Sequence, residues 1–113
     1  MIPSKKPSQK PVMTALTQLP AWKALVTHQA LMREFVMGQA FEQDPNRFQT
    51  LSLDAEGLLL DYSKNRITSE SMQLLMQLAR EAGVEAMRAA MFSGERINFT
   101  EGRAVLHTAL RNP

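Results

Sequence analysis

The sequence predicts a mostly α-helical chain with one short antiparallel β-hairpin, and three observations lead there. Apolar residues recur at three- and four-residue steps around Trp22 to Gln29, Met72 to Ala79 and Val84 to Met91, the spacing of a helix with one buried stripe. Alternation with a period of two is confined to about residues 48–61, which suits a pair of strands. Pro20, the Asp44 to Asn46 turn, Gly57, Gly83 and Gly94 cut the chain into short pieces, and one hairpin among such pieces cannot build a parallel sheet.

Residues 1–18 hold Pro3, Pro7 and Pro11 among Lys, Ser and Gln and read as a flexible basic arm; residues 19–113 then form the helical segment. A helix starts at Pro20, whose fixed φ suits a first turn. Trp22, Leu25, Val26 and Gln29 follow, with Trp22 as core anchor. After a bend, a second helix is expected over about Arg33 to Gln43, ended by the Asp44-Pro45-Asn46 turn. Two strands from Phe48 to Asp61 are joined by a turn over Asp54 to Gly57, and Asp61 to Asn65 leave as a loop. Thr68 or Ser69 caps the clearest helix, with Met72, Leu75, Met76 and Ala79 on one face and Glu70, Gln73, Gln77 and Arg80 opposite. Gly83 ends it. Val84 to Phe92 form a further helix with Val84, Met87 and Met91 inward. Beyond Gly94, Thr100 and Glu101 look like a cap and a first-turn acid, so a terminal helix is expected over about Glu101 to Arg111. Val105, Leu106 and Leu110 would leave it apolar on most sides, and exposing each would forfeit about 1.5 to 3 kcal/mol. More polypeptide than 113 residues provide is expected to cover it.

Composition narrows the function classes. A hydrophobic fraction of 44% and a charged fraction of 21% are those of a folding chain. The absence of cysteine removes disulfides, thiolate metal sites and a cysteine nucleophile, and fits a cytoplasmic location. No apolar run reaches the ~20 residues of a membrane span, and a secretory signal is not expected. The net charge of +2 sits in the arm: five basic and no acidic residues precede Glu34, and eight basic residues face eleven acidic ones from there on. The folded part is mildly acidic, so neither nucleic acid nor membrane is an expected partner.

Catalytic patterns are mostly missing. His28 and His107 lie on different elements with no ligand spacing around them, so no metal is expected. Gly38, Gly57, Gly83, Gly94 and Gly102 are too scattered for a phosphate loop. Ser63 beside Lys64 has no evident base, and a structural role is the simpler reading. On the expected terminal helix Arg103, His107 and Arg111 would form one stripe able to meet a phosphate or carboxylate. The plainer reading pairs each arginine with a carboxylate such as Asp61, Glu95 or Glu101, or with a backbone carbonyl.

The chain also carries motifs. Gly94 to Asn112 read G-E-R-I-N-F-T-E-G-R-A-V-L-H-T-A-L-R-N, and Leu60 to Asn65 read L-D-Y-S-K-N, followed by Arg66, Ile67 and Thr68. With weaker echoes at Trp22, at D-P-N-R-F over Asp44 to Phe48, and at Met91 to Ser93, these resemble the glucose-6-phosphate isomerase (phosphoglucose isomerase) family in order and spacing. Family members run to several hundred residues, so the resemblance implies an N-terminal piece of an α/β isomerase built on sugar isomerase (SIS) domains. It implies interconversion of glucose 6-phosphate and fructose 6-phosphate through an enediol, in glycolysis and gluconeogenesis, with a glutamate base and no cofactor or metal. The full-length enzyme would be a homodimer acting on a sugar phosphate. The family's catalytic and phosphate-binding residues match motifs beyond Pro113, so no catalytic residue is assignable here and the chain alone is expected to be inactive. Arg103 and His107 are implied only as buried supports near the active-site assembly. The alternative is a free-standing helical protein-interaction module; a basic-tail nucleic-acid binder is a third reading.

Overall fold

A computed structural model describes residues 15–111; residues 1–14 of the expected arm lie outside that range. The chain is mostly helical with one two-stranded antiparallel sheet. After a 3-10 turn at Leu16–Gln18, helix α1 spans Pro20–Met32, α2 Met37–Gln43 and the single turn α3 Arg47–Thr50. Strands β1 (Ser52–Ala55) and β2 (Leu58–Asp61) follow, then α4 (Ser69–Glu81), α5 (Val84–Phe92) and a 3-10 turn at Ala109–Arg111.

Helices α1 and α4 pack against each other, and their polar ties show that they run antiparallel. Near the start of α1 the Ala21 amide donates to both carboxylate oxygens of Glu81, at 3.0 and 3.3 Å, at the end of α4. Near its end His28 meets Ser71 at the start of α4. Because Pro20 and Leu19 offer no side-chain cap, Glu81 supplies the negative charge that a helix start favours. Ala21 is fully buried at this seam. Trp22, expected as the core anchor, is half-buried.

Thr68 caps α4 as expected: its hydroxyl accepts the Ser71 amide, while the Ser71 hydroxyl accepts the Thr68 amide, a reciprocal capping box. The face that turns inward is the expected one only in part: Met72 and Ala79 are half-buried and Glu70, Gln73, Gln77 and Arg80 are exposed, as expected. Ser71 is buried and Leu74 and Leu78 are half-buried, whereas Leu75 and Met76 are exposed. Gly83, at φ 79°, makes the left-handed turn into α5.

Three other expectations change. The second helix is shorter than Arg33 to Gln43, because the Glu34 and Phe35 amides close the end of α1 on Leu31 and Met32 and Val36 is extended. The strands do not begin at Phe48: the Asp44 carboxylate accepts the Asn46 amide at 3.0 Å, its carbonyl accepts the Arg47 amide, and this turn feeds a helical turn instead. The hairpin loop is also tighter, since Ala55 pairs with Leu58 and only Glu56 and Gly57 lie between, both at positive φ, as a type I′ turn requires.

The terminal helix is absent among the described residues. The Asn98 side chain accepts from the Thr100 hydroxyl at 2.8 Å and from the Glu101 amide, and its carbonyl accepts the Gly102 amide at 2.8 Å. Gly102 then turns left-handed and Arg103 bridges back to Asn98. Local turn chemistry thus captures Thr100, the residue expected to cap a helix, and an 11-residue helix without a packing surface has little to hold it.

Only Ala21 and Leu51 are buried apolar residues among those described. The interior is instead organised by polar ties, and these define the site.

Candidate functional site

Among the described residues the most enclosed cation is Arg47, at 5% exposure. The α3 turn points its guanidinium into the loop that follows the hairpin, where it donates to three successive alternate carbonyls. Nε donates to Ser63 at 2.8 Å, one terminal nitrogen to Asn65 at 2.9 Å and the other to Ile67 at 3.0 Å. A planar fork with five N–H groups suits this cage, and a lysine ammonium would not. Phe35 and Phe41 stack against the same guanidinium at 5.5 and 5.4 Å. Arg66 lies over Phe35 as well, at 5.5 Å, and donates to the Met32 carbonyl at the end of α1. One node therefore ties together the α1 end, α3 and the loop into α4.

Within that loop Asp61 holds Ser63 twice through Oδ1, accepting the hydroxyl at 2.6 Å and the amide at 2.9 Å. These two bonds, with a smaller contribution from the Lys64 charge, hold the Asp61 carboxyl below its ordinary range. Ser63 is 1% exposed, so its hydroxyl is committed to the loop and unavailable as a nucleophile.

His28, Ser71 and Glu70 give the other polar cluster. His28 Nε2 lies 2.7 Å from the Ser71 hydroxyl and Nδ1 lies 3.7 Å from a Glu70 oxygen. The order resembles a nucleophile relay, but Ser71 is 4% exposed and its hydroxyl closes the capping box with Thr68. An acyl group has no approach to it, and the cluster acts as a brace between α1 and α4.

The sequence-derived candidates fall elsewhere. Arg103 is exposed and takes part through its backbone bridge to Asn98. His107 and Arg111 are exposed and line one hollow with Phe92, Thr108 and Leu110, so the expected stripe of three is not assembled. Asp61, one of the carboxylates expected beside an arginine, is bonded to Ser63 instead. Arg47 was missed, although it stands in the D-P-N-R-F stretch. The sequence offers no period that would link it to carbonyls 16 to 20 residues away. Among the described residues no three His, Asp or Glu side chains gather as metal ligands, and no helix is long and apolar enough to cross a membrane.

This geometry braces a loop: the hollow beside it is lined by Glu34, Asp44, Glu70 and Arg47, but the Arg47 guanidinium is engaged by the loop carbonyls. The phosphoglucose isomerase family model matches residues 61–113, from the Asp61 loop through the Gly94 to Asn112 motif. The chain belongs to the phosphoglucose isomerase family. It is 62% identical over 101 residues to glucose-6-phosphate isomerase 1 of Thiobacillus denitrificans, covering 89% of this chain and 18% of that protein. It is 58% identical over 98 residues to glucose-6-phosphate isomerase of Ectopseudomonas mendocina, with 87% and 18% covered. The relative from Roseiflexus castenholzii is 52% identical over 101 residues, with 89% and 19% covered. The chain thus spans about a fifth of the length of the curated relatives it matches.

Proposed function

We propose that this chain is the N-terminal framework of a glucose-6-phosphate isomerase, the aldose–ketose isomerase that interconverts glucose 6-phosphate and fructose 6-phosphate, and that it is inactive by itself. The observation that carries this reading is the family likeness over nearly all of the described residues, set against an interior whose polar groups bond one another. Arg47 is spent on three carbonyls, Ser63 on Asp61, and Ser71 on Thr68 and His28. Moving a proton between adjacent sugar carbons needs a base facing the substrate, which would come from the remainder of the enzyme. In that reading residues 1–18 are an arm, residues 19–113 wrap the SIS domains, and Arg103 and His107 stand near the assembled site without touching substrate. The active form is a cytoplasmic homodimer that needs no cofactor.

The test is a chimera in which this chain replaces the matching stretch of the Thiobacillus denitrificans isomerase. Conversion of fructose 6-phosphate within about tenfold of the parent, a loss of no more than about 1.4 kcal/mol at the transition state, is expected, together with no turnover by the purified 113-residue chain. An inactive but folded chimera, or turnover by the chain alone, contradicts the reading. A free-standing interaction module, the second reading suggested by the exposed apolar residues, would leave the chimera inactive.

A further inference from the structure

The hairpin sorts its side chains unevenly. Cross-strand partners share a face, so the register Leu53 with Leu60 and Ala55 with Leu58 puts those four residues on one side. Ser52, Asp54, Leu59 and Asp61 take the other. Apart from Leu59 the second face is polar, and it is already engaged through the Asp61 bonds to Ser63. The first is wholly apolar, yet Leu53 is 57%, Leu60 58% and Leu58 76% exposed. A two-stranded hairpin has little stability in water unless a third strand or a helix covers it.

We propose that the Leu53, Ala55, Leu58 and Leu60 face is a docking surface for an apolar layer of the same isomerase, contributed by sequence outside the stretch this chain shares with its relatives. The inference rests on the family reading and adds to it the contact surface. Two observations choose this occupant. The matched stretch is 18% of the Thiobacillus denitrificans relative, so most of such a polypeptide is available to cover the hairpin. The face is also small: four side chains fall well short of the ~800 Å² per partner that stable association between separate chains buries. An intramolecular contact escapes that threshold, because the connecting chain supplies a high effective concentration. A second copy of this chain enjoys no such advantage.

The sequence contains no cysteine, which makes the test direct. Leu58→Cys, Leu59→Cys and Leu60→Cys are introduced one at a time, in the 113-residue chain and in the chimera, and alkylation at each position is followed by peptide mass spectrometry. In the isolated chain all three should react at comparable rates. In the chimera Leu58→Cys and Leu60→Cys should slow at least tenfold relative to Leu59→Cys, which reports the opposite face. Equal rates at the three positions in a folded chimera would overturn the proposal, as would protection in the isolated chain that grows with its concentration, the mark of a second copy. Isomerase activity of the unsubstituted chimera is read separately: an active chimera with unprotected residues 58 and 60 overturns the docking surface alone, and a protected but inactive one supports it while contradicting the assigned activity.

Discussion

Among the described residues no carboxylate forms an ion pair with the buried Arg47, and three carbonyl oxygens and two aromatic rings take the place of a counter-ion. Removing it strands those carbonyls, and a hydrogen bond to a charged donor contributes about 1.5 to 3 kcal/mol. Arg47→Met should therefore loosen the Asp61 to Ile67 loop by about 3 kcal/mol, or about a hundredfold in local opening. Amide hydrogen exchange at Ser63 and Asn65 would check it, and Arg47→Lys should recover only a minor part. Asp61 makes a pH prediction. Its folded carboxyl titrates below the ordinary value because Ser63 donates to it twice, so its contribution is complete above the unfolded value of ~3.9 and is lost as pH falls through the lower folded one. The Ser63 amide chemical shift should titrate with a midpoint below that of an unstructured aspartate, and Asp61→Asn should abolish the transition. None of this was legible in the sequence, where Arg47 was one letter of a motif and Asp61 was offered as an arginine partner. A cage of backbone carbonyls leaves no side-chain signature.

At the scale of elements, legibility followed local chemistry. Pro20 and Thr68 started helices where they stood, because a fixed φ and a side-chain cap act within one turn. The terminal helix failed because Asn98 and Gly102 offered an equally local alternative that the apolar spacing of Val105, Leu106 and Leu110 could not outweigh. The inward face of α4 was assigned only in part: Met72 and Ala79 are half-buried as expected, but Leu75 and Met76 are apolar without being covered, while Ser71 is buried where it bonds His28. Two substitutions probe this scale. Thr68→Ala should cost α4 about 1 kcal/mol, read as faster exchange at the Ser71 amide. Glu56 holds a left-handed conformation, φ 53°, beside Gly57 at φ 78°, and Asn tolerates that region better than Glu. Glu56→Asn should slow exchange across the β1–β2 pair, and faster exchange would show that the loop is not the type I′ turn described here.

At the scale of the whole molecule, polar ties are inside and much of the apolar surface is outside. Leu58 on the hairpin and Leu110 near the last described residue are 76% and 91% exposed, and Phe92 at the end of α5 is 63% exposed. The sequence argued for missing cover from a greasy closing helix. The structure moves that argument to the hairpin face, the Leu75 and Met76 stripe of α4 and the turns from Leu106 to Leu110. Exposed apolar patches of this kind mark surfaces built to be covered, in keeping with a chain about a fifth as long as its relatives. The most direct measurement is binding of an environment-sensitive hydrophobic dye to the purified 113-residue chain and to the isomerase chimera at equal molar concentration. The account predicts strong dye fluorescence from the isolated chain and near-baseline fluorescence from the chimera. A monomeric isolated chain that unfolds in one cooperative step and leaves the dye dark would contradict it.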